Sequence, residues 1–324
     1  MAFPSNQTIK LSIVIVSWNV ANLLDKCLNS IKKNISNIEY EVIVVDNNSH
    51  DATCSMVANK YPSVKLIANA ENVGFPKANN QALEVACGEY LFFLNPDTEI
   101  IGNVCLDLIQ QLKSNADYGL VGPILESAQG KIQQVCGRPD PTPLSYFVSS
   151  LHLNKGIFKK LGLPSLNYSD MDYKKDQSVD ALNGAAMLCR RDLCMQIGGL
   201  DDTIFMYLED IDFCYKVRKL GKLVVLCSNS RVMHHEGQSS KQVPVKTRLL
   251  MMDALYIFIS RYQNIFARFF FKFVILISSI LRLQIAIILS VVKLLPAFKN
   301  KIRMQLNIKS EIACLLWVFG WRMN

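Results

Sequence analysis

Carboxylates follow apolar runs at three places in this chain, and at each an acid could hold a cation, read a ligand or move a proton. The first is Gly88 to Ile100, where the apolar run Tyr90 to Leu94 fits a buried strand and Asn95-Pro96-Asp97-Thr98 stops it. Asp97 then lies just past the carboxyl end of a strand, the edge at which open α/β sheets bind ligands. The second is Phe205 to Asp212, where three acids, Glu209, Asp210 and Asp212, follow Phe205-Met206-Tyr207-Leu208. An apolar approach partly dries a carboxylate and raises its pKa toward the range of a general base. The third is Asp46-Asn47-Asn48-Ser49, after the run Glu41 to Val45; an acid there can accept hydrogen bonds from a base or ribose, or coordinate a divalent ion. Plainer readings stand beside these. Asn-Pro-Asp is a common turn composition, and acids are favoured in a first helical turn by the macrodipole. His234 and His235 form a pair that is ordinarily surface or core; beside acids, one imidazole becomes a candidate metal ligand.

Positioning these residues requires a sheet. Leu11 to Val16 is a nearly continuous β-branched run suited to a strand buried on both faces. Leu23, Leu24, Cys27, Leu28 and Ile31 then have helical spacing before the strand at Glu41 to Val45, which makes a βαβ unit. A helix from Asp51-Ala52-Thr53, capped by Asp51 or Ser49, precedes a short strand at Val64 to Ile67 and a helix at Ala78 to Ala86. Alternation of this kind predicts an α/β fold, a doubly wound and mostly parallel sheet flanked by helices. Val104 to Leu112 reads as a helix and Gly119 to Ile124 as a strand. Residues 123–180, with Pro139, Pro141, Pro143 and Pro164, form the least regular region, a substrate loop or a surface insertion. Arg191 to Ile197 and Phe213 to Leu220 read as helices with glycine stops, and Leu223 to Leu226 as a strand.

No Gly-x-Gly-x-x-Gly follows the first strand and no Gly-Lys-Ser/Thr loop occurs, so the usual dinucleotide and triphosphate cradles are missing from the sequence. The 324 residues, half of them apolar, can bury a large core; the net charge of +8 comes without an arginine-rich stretch interleaved with aromatics, which argues against nucleic acid. Ten cysteines are scattered with no Cys-x-x-Cys pair, as small core residues of a reducing compartment would be. Met1 to Lys10 has no apolar segment of the secretory kind, so the catalytic part is expected to face the cytosol.

In chain order, LSIVIVSWN, EVIVVDNNSHD, ENVGFPKANNQAL, GEYLFFLNPDTEI, GAAMLCRRD, GGLDDTIFMYLEDIDFCYKVRKLG and VMHHEGQSS together resemble family 2 glycosyltransferases of the inverting GT-A fold, in particular the rhamnosyltransferase-like bacterial members that build surface polysaccharide. The resemblance spans roughly residues 11–240. It implies that Asp46 reads the nucleotide base with Ser17, Asn19 and Asn48 nearby, and that Gly74, Lys77 and Asn79 lie in the loop under the nucleoside diphosphate. It implies that Asp97 is the last acid of an Asp-x-Asp-type metal motif whose first acid is here Asn95, with His234 as second protein ligand to Mg²⁺ or Mn²⁺. Asp210 then matches the general base with Glu209 beside it, Asp212 supports the helix start, and Gly184 and Ala185 line the acceptor side. The donor implied is a dTDP- or UDP-linked sugar, rhamnose among the candidates, and the acceptor a glycan or lipid-linked hydroxyl. A nucleotidyltransferase acting on sugar phosphates and a non-catalytic nucleotide-binding assembly protein are the alternatives.

The domain expected from this reading covers residues 1–242, with a nucleotide half at about 10–125 and an acceptor half at about 126–242; residues 243–324 form a helical tail. From Arg261 onward the only acid is Glu311, and a basic apolar segment suits anionic lipid. Phe273 to Val292 could span a bilayer only with Arg282 near its middle, at roughly 2.5–3.5 kcal/mol on insertion scales. Amphipathic helices lying on the cytoplasmic face of the cell membrane, peripheral or monotopic, are therefore favoured over one span or over oligomer-forming helices of a cytoplasmic homodimer.

Overall fold

The computed structural model describes residues 10–153, 160, 162–168, 171–235, 244–292 and 308–320. The first nine residues, Lys159 and the EGQSS end of the last quoted segment lie outside them. So does the expected boundary at 242. The described chain divides into two compact units, residues 1–140 with 167–239 and residues 141–166 with 240–324. Residues 141–166, expected in the acceptor half, group instead with the C-terminal helices.

The first unit is built on a mixed sheet in the order β3-β2-β1-β4-β10-β6-β11-β5. The strands β1 (Leu11–Ser17), β2 (Tyr40–Asp46), β3 (Lys65–Ala68) and β4 (Tyr90–Leu94) run parallel, as the sequence predicts. Every residue of β1 and β4 is buried, the pattern of strands covered on both faces. Beyond β4 the direction alternates: β10 (Ala186–Arg190) is antiparallel to β4 and to β6 (Tyr118–Glu126). β6 runs longer than the expected Gly119 to Ile124 and pairs in parallel with β11 (Leu223–His234), which in turn runs antiparallel to the short β5 (Thr98–Ile100).

β11 is the main departure from expectation, continuing eight residues past Leu226 through an irregularity between Cys227 and Arg231. Its far half carries His234 into register with Thr98. Helices α1 (Ala21–Asn34), α2 (Thr53–Lys60), α3 (Phe75–Val85), α4 (Val104–Ser114), α6 (Arg191–Ile197) and α7 (Glu209–Lys219) flank this sheet. Phe93 of β4 and Phe213 of α7 meet edge to face, centroids 6.0 Å apart, fixing the acidic helix against the central strand. The short β7 (Gly137–Arg138) and β9 (Ala181–Leu182) pair antiparallel in a second small sheet, and β8 (Gln177–Ser178) adds to β11.

The second unit is helical: α5 (Pro143–Ser150), α8 (Pro244–Tyr262), α9 (Ile265–Val292) and α10 (Ile308–Val318). α5 starts on a Thr142/Ser145 capping box with Pro143 in the first turn. Trp317 of α10 donates its indole N–H to Asp253 of α8 at 2.7 Å and packs against Tyr256. α9 contains a 25-residue apolar stretch, Ile265–Leu289, long and apolar enough to cross a membrane. Arg282, the residue that would have burdened such a span, pairs with Glu311 of α10 at 2.8 Å. All ten cysteines are free and most are buried.

Candidate active site

The side expected to hold the nucleotide is laid out by β1 and β2, which end in register with Ser17 beside Asp46. Ser49 donates its backbone N–H to Asp46 Oδ2 at 2.9 Å, while Asp46 Oδ1 and Ser17 Oγ are buried with no hydrogen-bond partner. Such orphaned polar atoms at a strand end are what a ligand's hydrogen-bonding groups would complete. The chain leaves both strands through asparagines with positive φ, Asn19 (54°) and Asn48 (65°), a residue type that tolerates that conformation. Asn19 is tied into the turn, accepting from His50 N–H at 2.7 Å and donating its own N–H to Ser49 Oγ at 2.8 Å.

The loop before α3 is held by Asn47, a residue that sequence reasoning passed over. Its side chain donates to Asn72 Oδ1 (2.9 Å) and to the Gly74 carbonyl (3.2 Å) and accepts from Val73 N–H (3.1 Å). Gly74 has φ 90°, and a Cβ there would come within 2.7 Å of the Phe205 carbonyl oxygen, which Phe75 N–H meets at 2.8 Å. Only glycine lets the two backbones approach this closely, so this loop is joined to the segment leading into α7. Of the other two residues expected in this loop, Asn79 is buried and donates to the Phe75 carbonyl within α3 at 2.8 Å, and Lys77 is exposed on that helix's first turn.

Past β4, Asn95 donates its N–H to the Ala185 carbonyl at 2.9 Å, and its Oδ1 is buried without a partner. Asp97 Oδ1 lies 3.5 Å from His234 Nε2. The tautomer of His234 follows from Gln133, another residue without a sequence signal. Gln133 Nε2 donates to the His234 carbonyl at 2.8 Å, which turns its Oε1 toward His234 Nδ1 at 2.9 Å and makes Nδ1 the protonated nitrogen. His234 Nε2 and Asp97 Oδ1 thus face one another, a nitrogen and an oxygen that a divalent cation could join, and Asn95 Oδ1 supplies a further oxygen donor. The donor set fits Mg²⁺ or Mn²⁺, which take few protein ligands and complete their shell with water and substrate phosphate. Among the described residues no group of three or more His, Cys, Asp or Glu forms a fuller metal cage.

The acidic helix comes next to this rim through one turn of backbone. Ala185 holds Asn95, and Gly184 donates its N–H to Asp210 Oδ2 at 2.8 Å. A Cβ on Gly184 would stand 3.1 Å from Asp210 Cβ, which accounts for glycine at this position. Arg138, from β7 in the proline-rich region, ion-pairs with the same Oδ2. Asp210 Oδ1 accepts from Ile211 N–H at 2.8 Å and retains acceptor capacity. Tyr207 (φ 72°) and Leu208 (φ 60°), both left-handed and neither glycine, immediately precede the two acids. Each costs about 1–3 kcal/mol and persists where surrounding structure enforces it, commonly at functional sites. Asp212 is buried and pairs with Lys216 at 2.7 Å, one turn along α7.

Glu209 and Asp210 are 7% and 6% exposed. Burial foremost, and then the Asp210 charge, push Glu209 up to about 8 from 4.5, against the opposing pull of backbone N–H groups and Arg138. Glu209 is therefore protonated at neutral pH. Between pH 4.5 and 8 the folded state holds a proton that the unfolded state has lost. Glu209's contribution to stability is then present below about pH 4.5 and is lost as pH rises through 8. Relative to Glu209→Gln, the wild-type protein is expected to lose stability on the order of a few kcal/mol between pH 5 and 8. Melting temperatures of the two proteins across that range check this, and a pH-independent difference would mean that the shifted proton is elsewhere.

The family model described as glycosyl transferase family 2 matches residues 12–197. An N-acetylglucosaminyl-diphospho-decaprenol L-rhamnosyltransferase of Mycobacterium tuberculosis is 25% identical over 263 residues, covering 77% of this chain and 84% of that protein. Among solved structures, GalNAc-T7 with UDP, GalNAc and Mn²⁺ superposes with a TM-score of 0.60 at 16% identity, over 83% of this chain and 51% of that one. The mannosyltransferase PcManGT from Pyrobaculum calidifontis, in complex with GDP-Man and Mn²⁺, gives 0.55 at 14% identity, over 96% and 87%. These likenesses establish the GT-A fold.

Proposed function

The chain belongs to glycosyl transferase family 2, and from that premise we propose that it is an inverting enzyme carrying a sugar from a nucleoside diphosphate to a hydroxyl of a lipid-linked or polysaccharide acceptor. The observation that carries this reading is the backbone bridge in which Ala185 holds Asn95 while Gly184 holds Asp210. Adjoining residues thus hold Asn95 and Asp210, which supports reading the first as part of the donor side and the second as the base. Family membership favours glycosyl transfer over the nucleotidyltransfer and non-catalytic alternatives.

In this mechanism the unpartnered atoms of Asp46 and Ser17 take the polar edge of the base and ribose. Asp97, His234 and Asn95 would hold a divalent cation that, when bound, neutralises charge on the diphosphate leaving group. Asp210, paired through Oδ2 with Arg138, accepts the proton of the acceptor hydroxyl through Oδ1 as that oxygen attacks the anomeric carbon from the face opposite the diphosphate. The configuration inverts and no covalent sugar–enzyme bond forms. Glu209, neutral at pH 7, does not compete for the proton. A dTDP- or UDP-linked hexose is the donor class, with rhamnose first because the mycobacterial relative transfers it. That relative's decaprenol-linked substrate, together with the apolar α9, supports work at the cytoplasmic membrane surface.

A panel of nucleotide sugars with Mg²⁺ or Mn²⁺ tests the reading by thermal stabilisation. A ligand at a hundred times its Kd adds about 2.7 kcal/mol, expected here as a rise of about 5–10 °C. Stabilisation by nucleoside triphosphates and not by nucleotide sugars would contradict it.

A further inference from the structure

The helical unit holds two arginines on one buried carboxylate. Glu311 is fully buried; Arg282 Nη2 forms an ion pair 2.8 Å from its Oε1, and Arg248 Nη2 donates to its Oε2 at 3.4 Å. Arg248 Nε is directed at Cys314 Sγ, while Arg282 Nε is buried without a partner. One positive charge is therefore left over in a largely desolvated place, a costly arrangement unless an anion completes it. Tyr146 of α5 adds a second, independent sign. It is 5% exposed, its hydroxyl has no hydrogen-bond partner, and it lies in the field of the same Arg248, Arg282 and Glu311.

These side chains border a cleft of about 390 Å³, in the range of small-molecule sites. Among the described residues that line it, Arg248 and Arg282 are the charged ones and no carboxylate is present. Tyr146, Ser149, Ser150 and Thr247 supply hydroxyls, and Leu166, Met251 and Met252 make an apolar wall.

We propose that this cleft binds a phosphate or diphosphate ester, with the two guanidinium groups and the Tyr146 hydroxyl on its oxygens. Planar guanidinium pairs suit phosphate better than any other side chain. The apolar wall, and the exposed Phe266, Phe269, Phe270 and Phe273 on α9 of the same unit, suit a phosphate carried on a lipid. The site requires no catalysis by the other unit, so it and the transferase reading can fail separately.

The test uses the full chain, with inorganic phosphate as soluble probe and vesicles of phosphatidylcholine containing either phosphatidic acid or an equal share of phosphatidylglycerol. Tyr146→Phe removes only the unpartnered hydroxyl. Arg282→Gln combined with Glu311→Gln removes one guanidinium without stranding a buried carboxylate. Phosphate is expected to raise the melting temperature of the wild-type protein, with affinity weakened about tenfold or more in the double variant and by a smaller factor in Tyr146→Phe. Preferential, phosphate-competed binding to phosphatidic acid vesicles identifies the lipid-borne ester. Equal binding to both vesicles, with the variant-sensitive phosphate effect intact, identifies a soluble one. Phosphate stabilisation that is absent, or unchanged in both variants, overturns the proposal, the latter because the anion then sits elsewhere in the chain.

Discussion

Asp210→Asn is expected to lower kcat by about 10²- to 10⁴-fold, the usual worth of a positioned general base, while nucleotide-sugar affinity stays within a few-fold. The side chain keeps its volume, and its carbonyl oxygen can still meet Gly184 N–H and Arg138. What it loses is the capacity to take a proton and, with nitrogen in place of Oδ1, the acceptor of Ile211 N–H. Glu209→Gln is the informative partner, because an acid with a pKa of about 8 is already neutral at pH 7 and glutamine copies that state. Its activity at pH 7 is expected within about tenfold of wild type. Two adjacent carboxylates thus receive different roles from their surroundings: one is paired with an arginine, the other is dried and repelled by its neighbour. If Glu209→Gln were inactive and Asp210→Asn active, the roles would be exchanged.

Asp97→Ala is expected to abolish the metal-dependent part of nucleoside diphosphate binding, so that affinity with Mn²⁺ falls to the level measured with chelator. In the wild-type protein those two conditions are expected to differ by well over tenfold. Gln133→Leu provides the graded control. It leaves Asp97 and His234 in place but frees the imidazole from the amide that fixes its tautomer. A loss of about 10–100-fold in metal affinity is typical for such an outer partner. Titration calorimetry with UDP or dTDP measures both. Binding that ignores chelator in the wild type would remove the cation from the account.

The parallel half of the sheet was legible because β1, β2 and β4 are nearly continuous apolar runs that stop at polar residues. A strand buried on both faces needs such a run, and a sheet edge that binds ligands needs polar residues where the run stops. Pattern singled out Asp46, Asp97 and the Glu209-Asp210 pair as candidates, and the roles expected of them came from the family resemblance. The antiparallel half was less legible. β11 carries polar Ser228, Asn229, Ser230 and Arg231 within its twelve residues, which break the apolar pattern although backbone pairing continues on both sides of them. The supporting residues left no trace at all. Arg138 and Gln133 act through one or two hydrogen bonds to partners 72 and 101 residues away, and Asn47 through several to partners 22 to 27 residues away, and a lone polar side chain in a loop carries no periodicity that reveals its partner. The expectation that burial would raise an acid in this motif is met by Glu209. The tail was read by composition, which found the apolar helix but not the carboxylate of α10 that neutralises Arg282.

The most direct test of the central claim is a crystal of the full chain grown with Mn²⁺ and the diphosphate of the donor nucleotide, recorded at the manganese absorption edge. The account predicts an anomalous peak within bonding distance of Asp97 and of His234 Nε2, bridged to the diphosphate, with Asp210 exposed to the space beyond the terminal phosphate where a sugar would stand. A manganese peak away from both residues, or a diphosphate lying against any other part of the sheet, would contradict it.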